Sequence, residues 1–117
     1  PVYPSLQTMT RYDEAMKLIS RLTELDRQAM QDYGLPELLL MEAASRHVAA
    51  HVMRRSTPDS RVTLLAGPGN NGGDAMACAR LLHADGYQRL QVVLTAEPAT
   101  PTAQTQYDII QRLGIPT

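Results

Sequence analysis

Val62-Thr63-Leu64-Leu65-Ala66-Gly67-Pro68-Gly69-Asn70-Asn71-Gly72-Gly73-Asp74-Ala75-Met76-Ala77-Cys78-Ala79-Arg80-Leu81-Leu82 holds an apolar strand, a glycine-packed turn and a helix start in one run. Four glycines let backbone approach a ligand closely. They also accept the positive φ values expected of a turn that aims several N–H groups at one point. The pattern predicts a binding loop at residues 67–74 and a helix from about Asp74 to Ala84. Each residue alone has a purely structural explanation: Asp74 as a helix cap, Asn70 and Asn71 as turn residues, the glycines as turn formers. Eight of them in a row behind a buried strand exceed what a turn needs.

Three chemistries compete for such a loop. A Walker phosphate loop fails, because Gly73 and Asp74 stand where a lysine and a serine or threonine must be. The dinucleotide fingerprint fits formally as Gly67-x-Gly69-x-x-Gly72, with Glu97 near the end of the next predicted strand as a ribose acceptor. Against it, a carboxylate at the helix start would repel a phosphate within about 4 Å by roughly 1–4 kcal/mol. The third chemistry is a polar, partly uncharged group beside a hard cation. Asn70, Asn71 and Asp74 supply amide and carboxylate oxygens for the cation and amide donors for hydroxyls or a carboxamide.

The same residues resemble the NAD(P)H-hydrate epimerase family, the YjeF amino-terminal domain type. Gly67 to Asp74 match its loop, and Ala79-Arg80-Leu81 the small-residue helix that follows it. Upstream, Leu25-Asp26-Arg27, Tyr33-Gly34-Leu35-Pro36 and Leu39-Leu40-Met41-Glu42-Ala43-Ala44 look like its entrance helices. The likeness runs from about Ser20 to the end of the chain. It departs at Ala43, where an Asn is frequent, at Ser45 in a Gly position, and at Ala75 in place of the Gly after the Asp. The resemblance implies a Rossmann-like fold that interconverts the epimers of hydrated NADH or NADPH, with potassium as cofactor. Asn70, Asn71, Gly72, Gly73 and Asp74 would contact the nucleotide, and Asn71 would give an oxygen to the potassium. The family's catalytic acid belongs to a later segment, beyond Thr117.

The chain has 117 residues, is 44% hydrophobic and carries a net charge of −1, which reads as a single globular unit. With ten Arg, one Lys and no basic run denser than Arg54-Arg55, it carries no nucleic-acid footprint. No apolar run reaches ~18 residues and the start lacks the features of a signal peptide, so the expected setting is cytoplasmic. Cys78, the single cysteine, fits a reducing compartment and reads as a small buried apolar residue. His47 and His51 have the spacing of a zinc pair without a third ligand, which favours a solvated helix end.

Two strands, about 62–66 and 90–95, alternate with helices, and the βαβ order predicts a right-handed parallel crossover with the loop at the carboxyl edge of the sheet. Residues 1–19 read as an arm and a first helix. Helices also follow over 22–33, after Pro36, and over 102–113, the last capped by Thr100 with Pro101 in its first turn. Ile115-Pro116 looks like the lead into a third strand. The expected architecture is a three-layer α/β/α sheet of parallel strands that stops after its second βα unit, the first half of a larger domain. Its open edge calls for a homodimer or a complementing half. The functional expectation is a domain that binds the hydrated nucleotide with little turnover by itself. The alternative is a non-catalytic nucleotide-binding or protein-interaction module of the same fold.

Overall fold

The computed structural model describes residues 21–117, so the expected arm and first helix over residues 1–19 lie outside the described residues. Two compact units meet in sequence at Pro36. In the first, a helix over residues 21–31 (α1) carries an ion pair between Glu24 and Arg27, and Arg27 also donates to Gln31. The helix ends as its sequence predicts. Gly34 takes a φ of 71°, and the Leu35 N–H reaches back to the Ala29 carbonyl at 3.0 Å, closing a glycine C-cap.

The second unit runs in the order α2 (Glu37–Met53), β1 (Arg61–Ala66), α3 (Asn70–Ala84), β2 (Arg89–Leu94) and α4 (Pro101–Arg112). The strands pair in parallel with Arg61 opposite Arg89 and Ala66 opposite Leu94. One face of this pair carries Leu64, Ala66, Leu90 and Val92, all buried. The other carries Arg61, Thr63, Leu65, Arg89, Gln91 and Val93, all exposed, with Leu65 at 72%. In this unit the helical layer therefore lies on one face. The chain after α4 returns to the sheet, and the Val92 N–H donates to the Pro116 carbonyl at 2.8 Å. Residues 115–116 thus begin to occupy the second edge of β2, as the apolar ending suggests.

α3 is the central helix. Gly72, Gly73, Met76, Ala77, Cys78, Ala79 and Leu82 are buried because the sheet, α2 and α4 surround it. Its neighbours come close because the residues between them are small. Ser45, fully buried on α2, donates to its own helix at the Met41 carbonyl and lies 3.2 Å from the Asp74 carbonyl of α3. The Ser45 hydroxyl thus satisfies itself within the contact. Across the same helices, Arg80 of α3 pairs with Glu42 of α2 and reaches Gln106 of α4 at 3.5 Å. At the far end, Gly86 with φ 94° stops α3 where Asp85-Gly86 predicts, and buried Tyr87 shares a 2.7 Å hydrogen bond with Ser56.

α3 starts at Asn70, four residues before the expected Asp74, with Gly69 as its N-cap. The positive φ expected of the loop glycines is also absent: among the described residues only Gly34, Gly86 and Gly114 adopt it. The loop uses its glycines for proximity instead. A Cβ on Gly72 would stand 1.8 Å from the Gly67 carbonyl oxygen, and one on Gly73 would stand 2.5 Å from Met41 Cε and 3.3 Å from Ala103 Cα. Two glycines inside a helix cost about 1 kcal/mol each against alanine, and this close packing offsets that.

Urea denaturation will order the loop glycines by these clearances. Gly72→Ala meets rigid backbone and loses about 3 kcal/mol or more, while Gly73→Ala displaces the flexible end of Met41 and loses about 1–2 kcal/mol. Gly69→Ala, with nothing within 4 Å of a new Cβ, loses less than about 1 kcal/mol. Equal losses at all three positions would contradict the packing explanation.

Candidate functional site

The loop leaves the carboxyl end of β1 and turns directly into α3, so the first-turn N–H groups of Asn70, Asn71 and Gly72 stand at the sheet's carboxyl edge without intrahelical acceptors. The Gly73 N–H makes the first helical bond, to the Gly69 carbonyl at 3.2 Å. No acidic residue lies in this first turn. Asp74 sits in the second turn, half-buried, and does not cap the helix. The Asp74 carboxylate therefore does not bar an anion from the helix start, because the helix begins earlier than the turn-like Asn-Asn-Gly-Gly composition suggests. The positive end of the helix dipole is left to the loop backbone.

The predicted site residues divide by what they touch. Asn70, though exposed, is held by protein groups: its amide nitrogen donates to Glu37 at the start of α2, and its oxygen accepts from Thr100 at 2.6 Å and Thr102 at 2.8 Å. Asn71 is exposed and, with Asp74, lines a groove of about 290 Å³. The other walls of this groove are Val48 and Val52 from α2, residues 62–65 of β1, and Ala75 and Cys78 from α3. Four consecutive residues of β1 border it, so it follows the edge of β1 that does not pair with β2. Gly72 and Gly73 are buried beneath this surface and shape the loop through packing.

The outer side of the loop is held as well. The Ala99 N–H donates to the Pro68 carbonyl at 2.8 Å, and the Thr95 N–H donates to the Ala66 carbonyl at 3.0 Å. Thr100 caps α4 by accepting from the Ala103 N–H, as Thr100-Pro101 predicts. Glu97, the ribose acceptor of the dinucleotide alternative, is exposed in this connection between β2 and α4. Composition alone does not reveal that Thr100, Thr102 and Glu37 converge on Asn70, since they lie about thirty residues away on either side. His47 and His51 are both exposed on α2. Among the described residues, no group of three His, Cys, Asp or Glu is placed to hold a metal, and no helix is long and apolar enough to cross a membrane.

Geometry of this kind, a parallel βαβ unit with a glycine loop at its carboxyl edge, defines a Rossmann-type nucleotide-fold domain in part. A family model described as "YjeF-related protein N-terminus" matches residues 37–117, and the chain belongs to that family. Over 75 residues, 62% of the chain, it is 45% identical to the bifunctional NAD(P)H-hydrate repair enzyme Nnr of Salinibacter ruber, of which it covers 14%. Over 94 residues, 78% of the chain, it is 37% identical to the NAD(P)H-hydrate epimerase of Limosilactobacillus fermentum, of which it covers 44%. The crystal structure of the yeast protein YNL200c aligns with 83% of the chain and 44% of its own length, at a TM-score of 0.74 and 29% identity. The chain thus spans less than half the length of these relatives.

Cys78 is buried against the groove, and burial pushes its thiol pKa up. The folded chain therefore holds this proton more tightly than the unfolded one. Stability is unaffected below the ordinary thiol pKa of about 8.5 and falls as pH rises from there through the raised folded value. Thermal melts of the parent chain and Cys78→Ala between pH 7 and 10 should converge as the pH rises. A constant difference between them would show that the thiol does not titrate in this way.

Proposed function

We propose that this chain contributes the nucleotide-gripping part of an NAD(P)H-hydrate epimerase domain in metabolite repair, acting in the cytoplasm on hydrated NADH or NADPH. The observation that carries the reading is the position of Asn71 and Asp74, three residues apart on α3, in a groove beside the loop N–H groups at the carboxyl edge of the sheet. In this reading the N–H groups of residues 70–72 receive a phosphate of the nucleotide, drawn by the helix dipole. The amide of Asn71 hydrogen-bonds the polar hydrated ring. The apolar walls, Val48, Val52 and Leu65, shelter the ring from water.

The donor chemistry of the groove fits a potassium ion. Asn71 and Asp74 both offer oxygens, the hard ligands such an ion takes, and they stand on adjacent turns of one helix. Bound there, the ion would offset negative charge on the nucleotide. Epimerisation at a hydrated carbon also needs a positioned acid or base with a pKa near the working pH. That group belongs to the part of the relatives' length that this chain does not span. The chain's own residues bind and orient.

A second reading, a protein-interaction module, draws support from the exposed apolar residues Leu65 and Val93 on the bare sheet face. Two measurements test the proposal, and the second separates it from the interaction module. The purified chain is incubated with S and R hydrates, with and without potassium, and their ratio is followed by chromatography; little or no turnover is expected. Thermal melts with NADPH should show saturable stabilisation, about 2.7 kcal/mol at 100 times the dissociation constant, that Asn71→Ala and Asp74→Ala remove. No shift with any nicotinamide nucleotide favours the interaction module.

A further inference from the structure

We infer that the two adjacent asparagines have separate jobs, and that Asn70 is a positioning residue that clamps the loop and spends its side chain on the protein. A carboxamide offers two N–H donors and two acceptor lone pairs. Asn70 commits three of the four: one N–H to Glu37, and both lone pairs of its oxygen to the hydroxyls of Thr100 and Thr102. Each partner stands at the start of one of two other helices. Glu37 is the first residue of α2, Thr100 is the N-cap of α4, Thr102 lies in the first turn of α4, and Asn70 is the first residue of α3. The amide therefore ties three helix starts at one point.

Both asparagines are exposed, but only Asn71 lines the groove. Its assignment as the ligand-facing member of the pair rests on the nucleotide reading above; the clamp does not. The division follows from geometry, because successive residues of a helix point about 100° apart and so take different neighbours. The consequence concerns specificity. The loop N–H groups are held in place by a contact made before any ligand arrives, so the binding surface is preorganised and loses little freedom on binding.

The clamp has a polarity that can be exchanged. Asn70→Asp keeps the oxygen that accepts from the two threonines but sets a second carboxylate oxygen against Glu37, replacing attraction with repulsion. Glu37→Gln on that background returns a donor to the pair. Amide hydrogen exchange of residues 67–73 and the melting temperature should respond together. Asn70→Asp is expected to lower Tm by about 5 °C or more and to speed loop exchange about tenfold. Adding Glu37→Gln should recover most of both losses.

Asn71→Ala should leave loop exchange and Tm close to those of the parent while removing the NADPH-dependent stabilisation. Unchanged loop exchange in Asn70→Asp, or no recovery in the double variant, would overturn the clamp. Should Asn70→Asp fail to fold, the double variant and Thr102→Val, which removes one donor to the Asn70 oxygen, carry the same test through loop exchange. A parent chain that NADPH does not stabilise would overturn the nucleotide reading and leave the exchange results on the clamp standing.

Discussion

The absence of a side chain at Gly72 is the constraint on which this structure turns. Its α-carbon lies so near the Gly67 carbonyl that no other residue fits, and this allows α3 to begin only four residues after β1 ends. A longer excursion would carry the helix start away from the sheet edge. Because the turn is so short, the free N–H groups of the first helical turn stay at the carboxyl end of β1, where open α/β sheets take their ligands. Gly73 extends the same device to the neighbouring helices, letting Met41 of α2 and Ala103 of α4 meet α3 almost at its backbone.

What surrounds this contact keeps it in register. Buried Ser45 and Ala49 let α2 lie close to α3, and Glu42, Arg80 and Gln106 connect all three helices through charge and amide groups. The ion pair between Arg80 and Glu42 is only partly buried, so its worth lies more in fixing the relative rotation of the helices than in net stability. The groove is the other side of this arrangement. Packing the helices on one face leaves the free edge of β1 bordered by Val48 and Val52, and Asn71 and Asp74 look into the space between.

The elements bounded by strong local punctuation were legible from residue types. Thr100 with Pro101 caps α4, Gly34, Gly86 and Gly114 stop their helices with left-handed backbone, and the apolar runs of β1 and β2 mark them as strands. The start of α3 was not legible. Asn-Asn-Gly-Gly is a poor helix opening by propensity, and only the packing of Gly72 and Gly73 against β1, α2 and α4 makes it helical. The error carried a chemical consequence, because it placed the Asp74 carboxylate at the helix dipole when it lies a turn further on. Nor could residue types show that Asn70 is held by protein groups while Asn71 lines the groove, since that depends on Glu37, Thr100 and Thr102 arriving from distant parts of the chain.

By itself the amino-acid order determined the class of fold, the family and the glycine loop between strand and helix, because glycine spacing, apolar runs and cap residues act within a few positions along the backbone. Tertiary structure alone decided where the helix begins, which asparagine is spent on the scaffold and which meets the groove. Those outcomes depend on contacts between residues about thirty positions apart, whose directions are set by the rotation of one packed helix against its neighbours.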